Sequence, residues 1–227
     1  MWLSYRAVLK VNGPFAASLP KDPDEIRSML EHRMPAQKPE DAIPIDELVE
    51  TVSAAVATAD QPDEDVLPGA STFPSDENGL YYEGRCVRGH LKDCALQVAG
   101  FFPVKNFRAK FVNRVYVVTD KIYLGVEKVA GTQERFIQVM TRRGPRSSIK
   151  YIDWVESPTL EFTIKLLNDD VITEEHLKAV FEYGGIHGMG GERSQGWGRY
   201  ELKELVVGES AEPGAIGEAL AAAEAAS

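Results

Sequence analysis

Seven glycines, two arginines, a histidine and a tryptophan fall within eighteen residues, 183–200, reading YGGIHGMGGERSQGWGRY. Glycine tolerates positive φ and lets a second group approach the backbone closely, so this density predicts a shaped loop throughout the run, contacted by something else. Gly190 and Gly191 stand at its centre. The planar forks of Arg193 and Arg199 suit phosphate, and the rings of Trp197 and His187 offer faces on which a base stacks. The plainer alternative is a glycine-rich connector around a buried tryptophan.

Two further clusters carry charge at useful spacing. Residues 83–92, EGRCVRGHLK, bring Gly84, Arg85, Arg88, His90 and Lys92 together. Arg142, Arg143, Arg146 and Lys150 lie in TRRGPRSSIK, which reads equally as a solvated turn between strands or as a phosphate-tracking hairpin.

The formal net charge of −10 argues at first against a polyanionic ligand. Its distribution argues otherwise. Residues 39–77 hold eleven acids and no Lys or Arg, and residues 208–227 hold four Glu and no base. Setting those segments aside leaves 25 basic against 20 acidic residues, and residues 104–150 alone carry eleven Lys or Arg against Asp120, Glu127 and Glu134. The acidity is segregated, which leaves a basic face available to the rest of the chain.

With 227 residues, 44% hydrophobic and 26% charged, the chain suits one large globular domain or two small ones. No apolar run approaches a membrane span and MWLSYRAVLK lacks a signal-peptide pattern, so a cytoplasmic protein without membrane contact is the expectation. Cys86 and Cys94 fit neither a zinc site nor a disulfide framework. No metal or cofactor is expected, and no Walker lysine motif, H-E-x-x-H or G-x-S-x-G elbow is present.

The elements that position these residues follow from periodicity. Residues 3–11 alternate as a half-buried strand, and Asn12-Gly13-Pro14 turns the chain. Asp22 as N-cap with Pro23 at N1 predicts a helix over 22–32, and an apolar stripe predicts another over 45–58. Residues 59–78 read as a mobile loop. A strand is expected at 80–83, a helix over 87–99, and strands at 114–119, 122–127, 135–141 and 160–167. Thr173 is a plausible N-cap for a helix carrying Leu177, Val180 and Phe181 on one face. The closing strand is expected at 199–207 and an appended tail at 208–227. His32 and His176 read as surface helical positions. The order suggests an α+β fold: a ferredoxin-like, RRM-like βαββαβ core with an antiparallel sheet and helices on one face, interrupted by a helical acidic insertion.

The glycine-rich run resembles the C-terminal loop of the repeat-associated mysterious protein (RAMP) superfamily, the RRM-like subunits of CRISPR effector complexes and the related processing ribonucleases. The family pattern, G-x-G-G-x-R-S-x-G-[FWY]-G-R-[FY] before the last strand, is matched at Gly188, Gly190, Gly191, Arg193, Ser194, Gly196, Trp197, Gly198, Arg199 and Tyr200. Residues 83–92 resemble the family segment G-S-S-L-K-G-x-L-R at Gly84, Val87, Arg88, Gly89, Leu91 and Lys92, with Arg85 and Cys86 in place of its two serines; the resemblance implies an anion there, which the helix N-terminus and the added arginine would serve. The resemblance covers residues 1–15 and 80–207, and leaves 16–79 particular to this chain.

The resemblance implies an RNA-binding subunit of an antiviral ribonucleoprotein, holding guide or other single-stranded RNA by its sugar-phosphate backbone beside other protein subunits. A second possibility is a RAMP-fold endoribonuclease. Metal-independent RNA cleavage needs a base, an acid and a cation at one phosphate. His90 beside Lys92 and Arg88, or His187 beside Arg193, supplies such a set. The family's cleaving subunits point instead to Asp22 or Asp24, which already have a helix-cap explanation. A third possibility is a non-enzymatic module whose acidic insertion docks a basic partner.

Overall fold

The computed structural model describes residues 2–33, 44–57, 70–141 and 144–208. Part of the expected mobile loop, nearly all of the expected tail, and Arg142 and Arg143 lie outside the described residues. The chain opens with Trp2–Val11 (β1), turns at Gly13, and runs through the short strands Pro14–Ala16 (β2) and Leu19–Pro20 (β3). Pro23–Arg33 (α1) follows, with Asp22 Oδ1 accepting the N–H groups of Asp24 at 2.7 Å and Glu25 at 3.4 Å. That is the predicted N-cap. Ile45–Ala57 (α2) packs on α1, with Ile26 and Val49 buried and Arg27 paired to Asp46 at 2.6 Å.

Ala70–Thr72 (β4), Ser75–Asp76 (β5) and Gly79–Glu83 (β6) come next. Residues 70–78 are therefore strand and turn, where a mobile loop is expected. Phe73 holds them by packing 5.7 Å from Phe15, and Asp76 by pairing with Lys121 at 2.5 Å. Gly84–Gln97 (α3) starts ahead of the expected residue 87. After it come Phe107–Val112 (α4), Val115–Val117 (β7), Lys121–Tyr123 (β8), Gly131–Thr141 (β9), Gly144–Glu156 (β10), Thr159–Leu167 (β11), Glu174–His187 (α5) and Tyr200–Val207 (β12). Sequence reading anticipates neither α4 nor β10.

The main sheet has the strand order β12-β1-β11-β7, every neighbouring pair antiparallel. The helices α3 and α4 lie between β1 and β7 in the chain, and α5 between β11 and β12. This α+β arrangement is compatible with an RRM-like fold. Tyr5, Ala7, Leu9 and Val11 of β1 and Leu160, Phe162, Ile164 and Leu166 of β11 are buried in one cluster with Val87, Leu91 and Cys94 of α3 and Leu177, Val180 and Phe181 of α5. Each fully buried Leu, Ile or Phe contributes about 1.5–3 kcal/mol, so this layer fixes where the helix ends point.

The opposite face of the sheet is polar across its middle. Its two central strands present Ser4, Arg6 and Lys10 and Glu161, Thr163 and Lys165 there, with Arg6 paired to Glu161 at 2.6 Å and to Glu204 at 2.5 Å. Trp2 and Tyr116 meet at the sheet end, 5.4 Å apart. The one ring that the central strands carry on this face is Trp2, at the very start of β1, so the middle of the face offers no platform for stacked bases.

A second sheet is built around β10, which pairs antiparallel with β2 and β9 and parallel with β4. Ala16, Leu19–Pro20 and Ala70–Thr72, expected within the insertion, thus share a sheet with β10. The carboxylate of buried Asp153 anchors the base of the hairpin, accepting from Lys21 Nζ at 2.9 Å and from the Thr132 hydroxyl. Beyond that base, β9 and β10 continue as a two-stranded arm, paired without a break from Gly131 opposite Trp154 to Thr141 opposite Gly144. Phe136 on this arm is 82% exposed.

Candidate nucleic-acid interface

The helix α5 extends through Tyr183, Gly184 and Gly185 to His187, so the first part of the run expected as loop is helical. Its glycines are there for packing. A Cβ on Gly184 would stand 2.2 Å from Tyr200 Oη, and one on Gly185 would stand 2.4 Å from the Tyr200 carbonyl oxygen. Each helical glycine costs about 1 kcal/mol relative to alanine, which close seating of α5 on β12 offsets. His176, expected at the surface, is half-buried: its Nδ1 accepts the Thr173 N–H at 3.0 Å and its ring meets Phe102 edge-on at 4.5 Å.

The true loop begins at Gly188 and is laced to the β1–β2 turn. The Met189 N–H donates to the Gly198 carbonyl at 2.9 Å, Gly191 N–H to Ala16 at 3.0 Å, Gly198 N–H to Pro14 at 2.9 Å, and Asn12 N–H to Arg199 at 2.8 Å. Met189 is buried beneath this closure. A Cβ on Gly190 would lie 2.6 Å from the Ala16 carbonyl oxygen, and one on Gly191 would lie 2.5 Å from that of Ala17. The side chains these two glycines lack make room for the protein's own strand.

What the loop leaves in solvent is cationic. Arg193, Ser194 and Arg199 are exposed. The Arg193 Nη1 donates to His187 Nε2 at 3.0 Å, and the His187 ring stacks on Tyr183 at 5.7 Å. Because arginine only donates, Nε2 of His187 is an occupied acceptor in this geometry and is not poised as a catalytic base. Arg199 folds back over Gly196, where a Cβ would be 3.6 Å from its guanidinium carbon. Trp197 is half-buried with its ring 6.1 Å from that of Trp154 on β10, so it joins the loop to the second sheet.

A second tie runs from the loop to the arm. The Glu192 carboxylate accepts from Lys150 Nζ at 3.1 Å and from Arg135 Nη1. Lys150 therefore sits beside the glycine-rich loop. Arg135, which sequence reading does not single out, stands directly opposite Lys150 in the hairpin register. The backbone of Arg146 pairs with Val139 farther along the arm.

The α3 segment divides. Gly84 is a packing position, since its N–H donates to the Asp120 carbonyl at 2.8 Å and a Cβ would stand 1.9 Å from the Thr119 carbonyl oxygen. Arg85 pairs with Glu83 at 2.7 Å. Arg88, its guanidinium 4.6 Å from the Tyr116 ring, lines with Lys92, Leu91, Phe111 and Val115 a shallow pocket against α4 and β7. His90 faces the other flank, toward α5. It is only 6% exposed and lies 2.9 Å from Tyr200 Oη, with its ring 6.2 Å from that of His187. That burial corrects its candidacy for phosphate contact or catalysis. Asp22, engaged as the α1 cap, is likewise accounted for structurally.

Burial first, then repulsion from His187 and Arg193, lowers the His90 pKa from 6.5 to about 3. The unfolded chain therefore takes up a proton near pH 6.5 that the folded chain refuses until near pH 3, so the stability involved is fully present above pH 6.5 and is lost as pH falls toward 3. Between pH 6.5 and about 5.5 the wild-type protein is expected to lose about 1 kcal/mol more than His90→Gln does, read by urea unfolding. Equal losses in the two proteins would contradict the assignment.

Among the described residues, no group of three or more His, Cys, Asp or Glu is placed to hold a metal ion, and no helix is long and apolar enough to cross a membrane. The sequence matches no family model and no curated protein. The structure is similar to a chain in the solved structure titled "Cryo-EM structure of the Type III-B Cmr-beta bound to cognate target RNA", at 12% sequence identity and a TM-score of 0.42. The match covers 91% of this chain and 60% of that one, so the chain spans less than two thirds of that neighbour's length.

Proposed function

We propose that this chain is a RAMP-like RNA-binding subunit with a ferredoxin-like core, holding guide or other single-stranded RNA in a multi-subunit CRISPR-type ribonucleoprotein. One observation carries the proposal. The glycine-rich loop has much of its backbone pinned to the β1–β2 turn, yet leaves Arg193, Ser194 and Arg199 in solvent on a rigid base, next to an arm that brings Arg135 and Lys150 alongside. Fixed guanidinium forks with exposed edges suit successive phosphates and read no base sequence. The sequence resemblance across residues 188–200 and 83–92 supports the same ligand.

The endoribonuclease alternative has less support. His90 is buried, Nε2 of His187 is taken by Arg193, and Asp22 caps α1. Docking through the acidic insertion concerns a segment partly outside the described residues. Ultraviolet cross-linking of the full chain to a uniform single-stranded RNA, followed by peptide mapping, tests the proposal. Cross-links are expected within residues 188–200 and on the β9–β10 arm. Cross-links confined to the open face of the main sheet would overturn it.

A further inference from the structure

Glu192 occupies an unusual position for a carboxylate in a loop whose other charges are cationic. Its backbone is left-handed, at φ 54°, and its side chain, 11% exposed, turns away from solvent toward the arm. There it meets Arg135 and Lys150, which face each other directly across the hairpin. Like charges directly opposite on one sheet face repel and destabilise the pair. An anion between two such cations relieves that repulsion, and in this structure the anion is Glu192.

We infer that Arg135 and Lys150 form a phosphate-binding site that Glu192 holds closed as an internal mimic of a phosphodiester. The inference rests on the RNA-binding reading and adds to it a residue that regulates the site. A carboxylate and a phosphodiester each spread one negative charge over two oxygens, so the same fork and ammonium accept either. Glu192 and Arg193 are adjacent but diverge, one to the arm and one to His187. RNA that reaches Arg193 therefore arrives beside the site where Glu192 sits. Displacing the carboxylate hands both cations to the RNA backbone; leaving it in place keeps the loop clamped to the arm.

The test uses the full chain with Glu192→Gln, which keeps shape and removes charge. Glu192→Asn is the second variant, because asparagine favours left-handed backbone and so preserves the loop if glutamine strains it. Binding of a uniform single-stranded RNA is expected to tighten about tenfold at about 50 mM salt, with a steeper salt dependence by roughly 0.7–1.4 in slope. Inorganic pyrophosphate at matched ionic strength is expected to raise the Tm of the variants by about 2–4 °C more than that of wild type. Adding Arg135→Gln or Lys150→Gln should abolish that gain. An equal pyrophosphate response in wild type and variants, or a gain that survives both added substitutions, overturns the site. If no protein binds RNA but the pyrophosphate gain appears and needs Arg135 and Lys150, the anion site stands and the RNA-binding reading fails.

Discussion

Gly198→Ala is expected to destabilise the protein by at least about 3 kcal/mol and to release the glycine-rich loop. Two costs combine at this position. The backbone is at φ +69°, and a Cβ would stand 1.8 Å from the Met189 carbonyl oxygen and 3.0 Å from the Met189 nitrogen. Neither atom is free to retreat, because the Met189 N–H is bonded to the Gly198 carbonyl and the Gly198 N–H to that of Pro14. Gly13→Ala isolates the first cost, since Gly13 has φ +81° with nothing within 4 Å of its Cβ position. That variant should lose only about 1 kcal/mol. Urea unfolding of the two proteins compares them, and equal losses would show that closure of the loop on Met189 does not hold it together.

Arg193→Ala with Arg199→Ala is expected to weaken binding of single-stranded RNA by roughly 30- to 100-fold at about 50 mM salt. The salt slope should become shallower by about 1.4, at about 0.7 for each phosphate contact to a single strand. Both side chains are exposed, so their removal leaves the loop's backbone bonds in place and should cost little stability. Arg6→Ala is the matching control. Arg6 lies on the open face of the main sheet with Glu161 and Glu204, and its loss should change RNA affinity by less than about twofold. A larger effect from Arg6 than from the loop arginines would move the interface to that face.

The parts of the fold that face one core were legible from sequence. Leu3, Tyr5, Ala7, Leu9 and Val11, and then Leu160, Phe162, Ile164 and Leu166, alternate because one side of β1 and β11 is covered, and burial confirms most of them. The strand β10 was hidden for the opposite reason. Ser147 and Ser148 are exposed in the half of it that pairs with β9 alone, and a ribbon with solvent on both faces shows no apolar period. The helix α4 is six residues long, too short for a helical stripe to register.

The candidate site was legible as motifs and not as directions. Arg88 and His90 are two residues apart in sequence, yet the helix sends one to the pocket beside Tyr116 and the other into the core beside Tyr200. Composition likewise cannot distinguish a glycine that admits a ligand from one that admits a neighbouring strand. Gly84, Gly184, Gly185, Gly190, Gly191 and Gly198 all face protein atoms closer than any Cβ tolerates. Arg135 became visible only through the hairpin register that sets it across from Lys150.

The decisive measurement is the affinity of the full chain for a uniform single-stranded RNA across a series of salt concentrations, read by fluorescence anisotropy. A chain of net charge −10 has no general attraction for a polyanion, so binding requires a localised cationic surface. Binding at about 50 mM salt is predicted, with log K falling linearly in log salt at a slope near −2 to −3, the value for about three or four phosphate contacts. Absence of binding at low salt, or an affinity indifferent to salt, would contradict an interface built on Arg193, Arg199 and the neighbouring arm.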